Sequence, residues 1–380
     1  MSGGKRILYV QYSNPGGYPP LLHSSRLLAR SGWDVLFLGT GASGADTLNV
    51  PENQRISCRR LRFSEPGIRQ KLHFLHFCVW CLLSSLRFRP SWIYASDMRA
   101  CPAAMLIRML CRIPIIYHEH DIPQHSYSNG LFTRLQFALR RMCAREAQIC
   151  VIPNAERARI FAAEQGVNAL VVWNCPRLEE ISEARGPLNG TIRLLYHGSL
   201  SPELLPLSII DALAELPAHI SLALVGYETT GTSGYVKQLL ERAEARHVRD
   251  RIEYRGPLSR SDLMRFCRTC DAGLALLPDT ASNPNLRYLA GASNKVFDYL
   301  ACGLPLITLA SPDWDAIFIR SGYGVAAASS SAGDIAAAIR RLCSDPVQLR
   351  AMGEAGRKRI RKEWNYETQF RPVWQFLNSV

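Results

Sequence analysis

The residues with the most chemical content lie between positions 293 and 305, in the run SNKVFDYLACGLP. Val296 with Leu300 and Phe297 with Ala301 form an apolar i, i+4 stripe, while Lys295, Asp298 and Cys302 share the other side at i, i+3, i+7. Ser293 or Asn294 can cap the start of such a helix, and Gly303 and Pro305 end it. The spacing therefore predicts a short helix with Lys295 and Asp298 on one accessible face. Its free N–H groups and Lys295 suit a diphosphate, and Asp298 suits a pair of ribose hydroxyls. Arg287, just upstream, is a further cation that could assist. The plainer alternative is a solvated Lys–Asp pair at i, i+3, worth only about 0.2–0.5 kcal/mol.

A second group, His118, Glu119, His120 and Asp121, follows the apolar run IPIIY. Neighbours on an extended chain point to opposite faces, so these four cannot all converge on one ion. Substrate contact, a structural hydrogen-bond network and a metal site remain alternatives; Asp279 is another possible ligand should a metal be needed. A third group is the loop Asn14, Pro15, Gly16 and Gly17, whose paired glycines allow close approach of backbone to a ligand and equally suit a plain tight turn. It is not a Gly-x-Gly-x-x-Gly fingerprint, and no acidic residue ends the second strand, which disfavours a dehydrogenase.

Short runs rich in Ile, Val, Leu and Tyr alternate with helical patterns, and the rhythm occurs twice, as doubly wound parallel sheets require. Strands are expected over 7–11, 34–38, 92–95, 113–117, 148–152 and 170–172, then over 192–196, 220–225, 252–254, 273–277, 305–308 and 324–327. Ligands of such sheets bind outside the carboxyl ends of the strands. Chemistry is therefore sought at 13–17, 118–121, 197–199, 226–228, 255–258 and 278–298. The polar stretch after Asn174 has no apolar period and reads as a linker. The expected organisation is an α/β chain of two Rossmann-like domains facing across a cleft: 1–175, a linker over 176–190, and 191–365, with a final helix over 366–380 rejoining the first domain.

The chain has 380 residues, is 47% hydrophobic and carries a formal net charge of +13, so an anionic partner is expected. No recognition helix or RNA-binding signature accompanies that charge, which argues against nucleic acid. The 12 cysteines are scattered through apolar segments, and the Cys-x-x-Cys pairs 78/81 and 267/270 lack further ligands, so free thiols in a reducing compartment are expected rather than disulfides or zinc. No stretch reaches the roughly 18 apolar residues of a membrane span, and the first apolar run reads as a strand rather than a signal peptide. A cytoplasmic protein is expected. The segment 73–86, HFLHFCVWCLLSSL, has basic residues on both flanks. It reads either as a helix buried against a sheet or as a helix at the surface of an anionic membrane, on its cytoplasmic face.

At these residues the chain resembles the glycosyltransferases of the GT-B fold, most of all the family 4 group. The run from Lys295 to Pro305 resembles that group's donor-site helix, in which an acidic residue five before a Gly contacts the ribose; Asp298 and Gly303 keep that spacing. The segments ending in Gly198-Ser199 and in Gly226 resemble the first two strands of the donor domain. Arg255, Pro257 and Leu258 lie in a segment similar to the loop against which the nucleotide base rests, and His120-Asp121 matches a His-Asp pair that reaches the donor sugar. Two departures stand out: Ala290 occupies the position of a family Glu, and Ser199 and Leu204 stand where an Arg and a Lys usually hold the diphosphate.

The resemblance implies transfer of a sugar, with retention, from a UDP- or GDP-sugar to a glycan or polyprenyl-diphosphate-linked acceptor. Donor contacts are expected from Gly198, Ser199, Gly226, Arg255, Pro257, Leu258, Arg287, Ser293, Asn294, Lys295 and Asp298, acceptor contacts near Gly16 and Gly17, and catalytic roles for His120, Asp121 and Lys295. With no Asp-x-Asp motif at a strand end, the helix N–H groups and Lys295 are expected to stabilise the leaving diphosphate without a metal or other cofactor. The rivals are a nucleotide-sugar epimerase or hydrolase of the same fold, which turns over donor without acceptor, and a non-catalytic protein that binds nucleotide sugars or anionic lipid.

Overall fold

A computed structural model describes residues 4–123, 130–188, 190–277 and 283–379, so Asp279 lies outside the described residues. The chain divides into two compact units, Met1–Trp173 with Gln369–Val380, and Asn174–Thr368. Each is built on a parallel sheet.

In the first unit the strands are β1 (Arg6–Gln11), β2 (Asp34–Thr40), β3 (Ile56–Leu61), β4 (Trp92–Ser96), β5 (Ile115–His118), β6 (Ile149–Ile152) and β7 (Leu170–Val171), in the order β3-β2-β1-β4-β5-β6-β7. Ile7, Leu8, Tyr9 and Val10 of β1 and Ile93, Tyr94 and Ala95 of β4 are wholly buried, because helices cover both faces of the sheet. The strand order reverses between β1 and β4, the switch point at which open α/β sheets bind ligands. The last helix, Arg371–Ser379, packs within this unit: Phe376 meets Trp92 edge to face, and Trp374 Nε1 donates to Ser31 Oγ at 2.6 Å.

The second unit holds β8 (Ile192–Ser199), β9 (Ile220–Tyr227), β10 (Ile252–Tyr254), β11 (Ala272–Ala275), β12 (Leu306–Leu309) and β13 (Gly324–Ala327), in the order β10-β9-β8-β11-β12-β13. Its switch point lies between β8 and β11. Leu194, Tyr196, Leu222, Leu224, Leu274 and Ile307 form the middle of one core with Ile209, Ile210, Ile335 and Ile339 from covering helices. All 12 cysteines are free, and both Cys-x-x-Cys pairs are buried.

Two expectations need correction. Strand β3 reads ISCRRL and carries no apolar run; it is an edge strand, exposed over its middle, where arginines are tolerated and discourage further pairing. The stretch expected as a linker is packed into the second unit. Leu178–Glu180 form a 3-10 turn, and Arg177, Glu180 and Ser182 are buried. Its first half is held by Arg177 and Glu180, which pair with each other, Glu180 also with Arg260, while Glu183, Gly186 and Pro187 stay exposed.

Candidate active site

At the carboxyl edge of the second sheet, three glycines stand in a row at the ends of adjacent strands. Gly198 and Gly226 are register partners of β8 and β9, and Gly226 N donates to Gly256 O at 2.9 Å. A Cβ on Gly226 would stand 1.8 Å from Gly198 O, and Gly198 itself has φ +113. Only glycine fits both demands, and the row lowers the sheet edge into a bare backbone floor.

Lys295 lies over this floor. It rises from the helix Asn294–Ala301, whose N-cap Ser293 makes no side-chain cap bond. A Cβ on Gly198 would meet Lys295 Nζ at 2.8 Å, and Nζ sits 5.4 Å from the centroid of the Tyr196 ring. Asn174 fixes the approach to this helix, taking Gly291 O with its backbone N–H at 2.8 Å and Ala292 O with its amide at 2.7 Å. Among the described residues, the half-buried Lys295 ammonium has neither a hydrogen-bond acceptor nor an ion-pair partner. Burial lowers its pKa to about 8, with Asp298 pulling the other way. A cation held in place, short of solvent and without a counter-ion, next to an uncapped helix start, is suited to an incoming anion.

Asp298 is not on an accessible face. It is 1% exposed, and both of its oxygens accept from Arg260, Oδ2 from Nη1 at 2.6 Å and Oδ1 from Nη2 at 2.7 Å. Arg260 also donates through Nε to Glu180 Oε1 at 2.8 Å, and Glu180 in turn accepts the backbone N–H of Arg177 at 2.9 Å. Cys302, expected on the same accessible side, is wholly buried too. The helix turns its Asp298 side inward because Arg260, first residue of the helix Arg260–Cys267, supplies a bidentate partner there. Burial raises the Asp298 carboxyl above the usual range and Arg260 draws it back. His197, whose Nε2 lies 3.4 Å from Asp298 Oδ2, is kept neutral by burial and by the nearby cations Lys295 and Arg260.

The remaining second-unit residues are less convergent. Arg255 pairs with Glu253 and stacks over Phe266, 4.9 Å from its centroid. Pro257 and Leu258 are half-buried on the loop leading to Ser259, which caps the Arg260 helix. Ser199 ends β8, and its carbonyl accepts from Tyr196 Oη at 2.5 Å. Arg287 is exposed and its guanidinium lies 5.7 Å from the Tyr288 ring centroid.

In the first unit the four titratable residues divide. His118 and Glu119 are interior groups: Tyr94 Oη lies 2.7 Å from His118 Nδ1, and Glu119 accepts from Arg140 at 2.6 and 2.7 Å and from Tyr117 Oη at 2.5 Å. His120 and Asp121 follow the end of β5, His120 buried and Asp121 exposed. The His120 ring nitrogen Nε2 is 3.1 Å from Ser96 Oγ, its carbonyl accepts from Arg157 Nη1 at 2.5 Å, and Arg157 also reaches the largely exposed Asp121 carboxylate at 3.3 Å. Burial lowers the His120 pKa to about 4, so the ring is neutral near pH 7. Tyr18, after β1, brings its ring to 5.4 Å from that of His120.

Gly16 has a local explanation, since a Cβ there would stand 2.4 Å from Leu48 O. Asn14 donates to Ala45 O and Leu48 O at 2.6 and 2.8 Å and accepts from Gly16 N at 3.0 Å, while Gly17 N returns to Asn14 O at 3.1 Å. This loop is the tight turn of the plainer reading, braced against a neighbouring segment.

Sequence reasoning overlooked Asp97, Arg157, Arg260 and Glu180. Asp97 directly follows β4, and extending the search for strand-end residues past 92–95 finds it. It has φ +64 and ψ 167, a region that costs a non-glycine residue on the order of 1–3 kcal/mol. Burial and the neighbouring Asp121 raise its pKa to about 7. Arg260 follows the β10 loop by two residues; Glu180 carried no signal, because its partners are distant in sequence. Among the described residues, no group of three or more His, Cys, Asp or Glu side chains is placed to hold a metal ion.

Comparison with known proteins gives this geometry a family. Residues 20–174 match the glycosyl transferase 4-like domain, and residues 207–374 match the glycosyl transferase-like family. Glycogen synthase of Mycobacterium tuberculosis is 24% identical over 408 aligned positions, covering 96% of this chain and 92% of that protein. Among solved structures, HepE of Anabaena in complex with UDP-glucose superposes with a TM-score of 0.73 at 17% identity, covering 99% of this chain and 100% of that one. Sucrose-phosphate synthase of Thermosynechococcus elongatus superposes with a TM-score of 0.73 at 15% identity, covering 99% and 98%. With both parallel-sheet units accounted for by these matches, the chain is a glycosyltransferase of the GT-B fold, resembling the family 4 group.

Proposed function

We propose that this glycosyltransferase takes its sugar from a nucleoside diphosphate sugar, UDP- or GDP-linked, and transfers it with retention, without a metal, to a glycan or lipid-linked glycan. The observation that carries the reading is the unpartnered Lys295 ammonium over the Gly198–Gly226–Gly256 floor. Cleavage of the sugar–phosphate bond leaves negative charge on the diphosphate, and a fixed cation beside free helix N–H groups stabilises that charge as it forms. The solved HepE complexes contain UDP and UDP-glucose, which agrees with such a donor. In this reading the donor binds the second unit, with Ser293, Asn294, Ser199, Pro257 and Leu258 around it and Arg287 and Arg255 at its margin. Asp298 supports the site through Arg260. The acceptor binds the first unit, with His120 and Asp121 serving the donor sugar and reacting centre and the Gly16–Gly17 turn bordering the acceptor.

Thermal unfolding with UDP, GDP, ADP and their sugars tests the donor class. A ligand that binds only the folded protein at about 100 times its Kd adds about 2.7 kcal/mol of stability. A clear rise with UDP or GDP and their sugars is expected; no rise with any nucleotide contradicts the reading.

The surface of the first unit supports an acceptor held in a membrane. In the helix Ile68–Phe88, Phe74, Phe77, Cys78 and Cys81 face the core, while Ile68, Leu72, Leu75, Val79, Leu83 and Leu86 are exposed. At roughly 100° per residue these six fall within an arc of about 80°, a single apolar stripe opposite the buried one. Arg69, Lys71, Arg87 and Arg89 flank it, and Met109, Leu110, Leu131 and Leu135 are further exposed apolar residues on the helices Cys101–Cys111 and Leu131–Glu146. No helix among the described residues is long and apolar enough to cross a membrane. An apolar stripe edged by arginines fits the surface of an anionic bilayer, with the leucines at the acyl boundary and the cations at the headgroups.

Sedimentation with anionic vesicles should therefore capture the protein at low salt and release it as salt shortens the screening length to about 8–10 Å. Replacing Leu75 and Leu83 together by Glu should abolish capture without lowering the unfolding temperature, since both side chains are exposed. Protein that ignores such vesicles has a soluble acceptor.

A further inference from the structure

Asp97 sits in a backbone conformation that glycine alone adopts readily, and its main chain is pinned on both sides: its N–H donates to His118 O at 2.8 Å, and its carbonyl accepts from Ala100 N at 3.0 Å. Glycine here would remove the strain. Instead the chain carries a half-buried carboxylate that reaches over the turn after β5. Oδ1 accepts the backbone N–H of His120 at 2.8 Å, Oδ2 lies 3.4 Å from Gln11 Nε2, and the N–H of Asp121 also faces the carboxylate. His120 is thereby held at three points: its N–H by Asp97, its ring by Ser96, and its carbonyl by Arg157. Gln11, Ser96 and Asp97 come from the ends of β1 and β4, the two strands of the switch point.

We propose that Asp97 is a positioning residue for glycosyl transfer, whose carboxylate sets the peptide of His120 and Asp121 so that both side chains are presented at the carboxyl edge of the sheet. The inference rests on the reading of His120 as the residue beside the donor sugar. It follows that a neutral acceptor at position 97 should suffice. Asparagine keeps an oxygen for the His120 N–H, carries the same backbone strain as the native aspartate, and, with the Gln11 amide turned over, can donate to Gln11 Oε1, which is buried and has no hydrogen-bond partner in the native arrangement.

The experiment measures release of nucleoside diphosphate from the nucleotide sugar selected by thermal unfolding, with water as acceptor, for the native chain and for Asp97→Gly, Asp97→Asn and His120→Ala. Asp97→Gly should lose about tenfold or more in kcat with donor KM within about twofold, because a misplaced group near the reacting centre slows chemistry more than binding. Its unfolding temperature should not fall, since the strained φ is relieved. Asp97→Asn should stay within about threefold of the native rate. A native rate in Asp97→Gly, with His120→Ala impaired, overturns the inference alone. An Asp97→Asn rate as low as that of Asp97→Gly also overturns it, by showing that the charge and not the hydrogen bond is required. A native rate in His120→Ala overturns the reading of His120 and the inference with it.

Discussion

Lys295→Ala should lower turnover on the order of a hundred- to a thousandfold, the range found when one preorganised charge-stabilising donor is removed from an active site. The Lys295 ammonium lies against Gly198 and the Tyr196 ring, and no carboxylate among the described residues pairs with it, so little of its charge is spent within the protein. By the resemblance to the family 4 group, Ser199 and Leu204 stand where an Arg and a Lys would hold the diphosphate, and a diphosphate without a cation would be left uncompensated. Lys295→Arg should not restore the rate, because the space between the helix and the Gly198 backbone is filled to contact by the native side chain. The free ammonium titrates near pH 8, burial having lowered it. The protonated form is the one that binds an anion, so donor KM should rise as pH passes upward through about 8, and a KM flat to pH 9 would contradict the assignment.

Arg260→Met should cost about 3–5 kcal/mol of stability, as expected when one partner of a buried ionic network is removed. The native guanidinium is shared by Asp298 and Glu180, both buried; its loss strips Asp298 of its bidentate cation and leaves Glu180 with the longer contact to Arg177 at 3.4 Å. Urea unfolding measures the effect. Restoring charge balance by Arg260→Met with Asp298→Asn and Glu180→Gln should recover a large part of the loss, because replacing the whole network is far less costly than breaking it. A loss under about 1 kcal/mol for Arg260→Met alone would place this network among weak surface pairs. The same geometry changes what Asp298→Ala reports: its first effect is on folding, and nucleotide affinity must be read on the folded fraction.

The sequence makes every strand but β3 legible, because helices cover both sheet faces and leave continuous apolar runs. Strand β3 escapes because an edge strand needs only backbone pairing, and ISCRRL offers no run to see. The helix Asn294–Ala301 is legible in type and position from its end signals and i, i+4 stripe, yet its orientation is not. Periodicity places Lys295, Asp298 and Cys302 on one side but cannot say whether that side meets water, and here Arg260, 38 residues before Asp298, draws the lower part of it inward. The polar stretch after Asn174 misleads for a related reason. Arg177 and Glu180 look solvated when their partners, Arg260 among them, lie far along the chain. Asp97 is hidden differently, as a conformation: no residue pattern announces an aspartate at φ +64.

The most direct test of the account is nucleoside diphosphate release from the donor in excess EDTA, compared between the native chain and Lys295→Ala. The account predicts an undiminished native rate in EDTA and a rate on the order of a hundredfold lower in the variant, whether or not magnesium or manganese is added. Loss of the native activity in EDTA, restored by either ion, would contradict it, and so would a Lys295→Ala rate equal to that of the native chain.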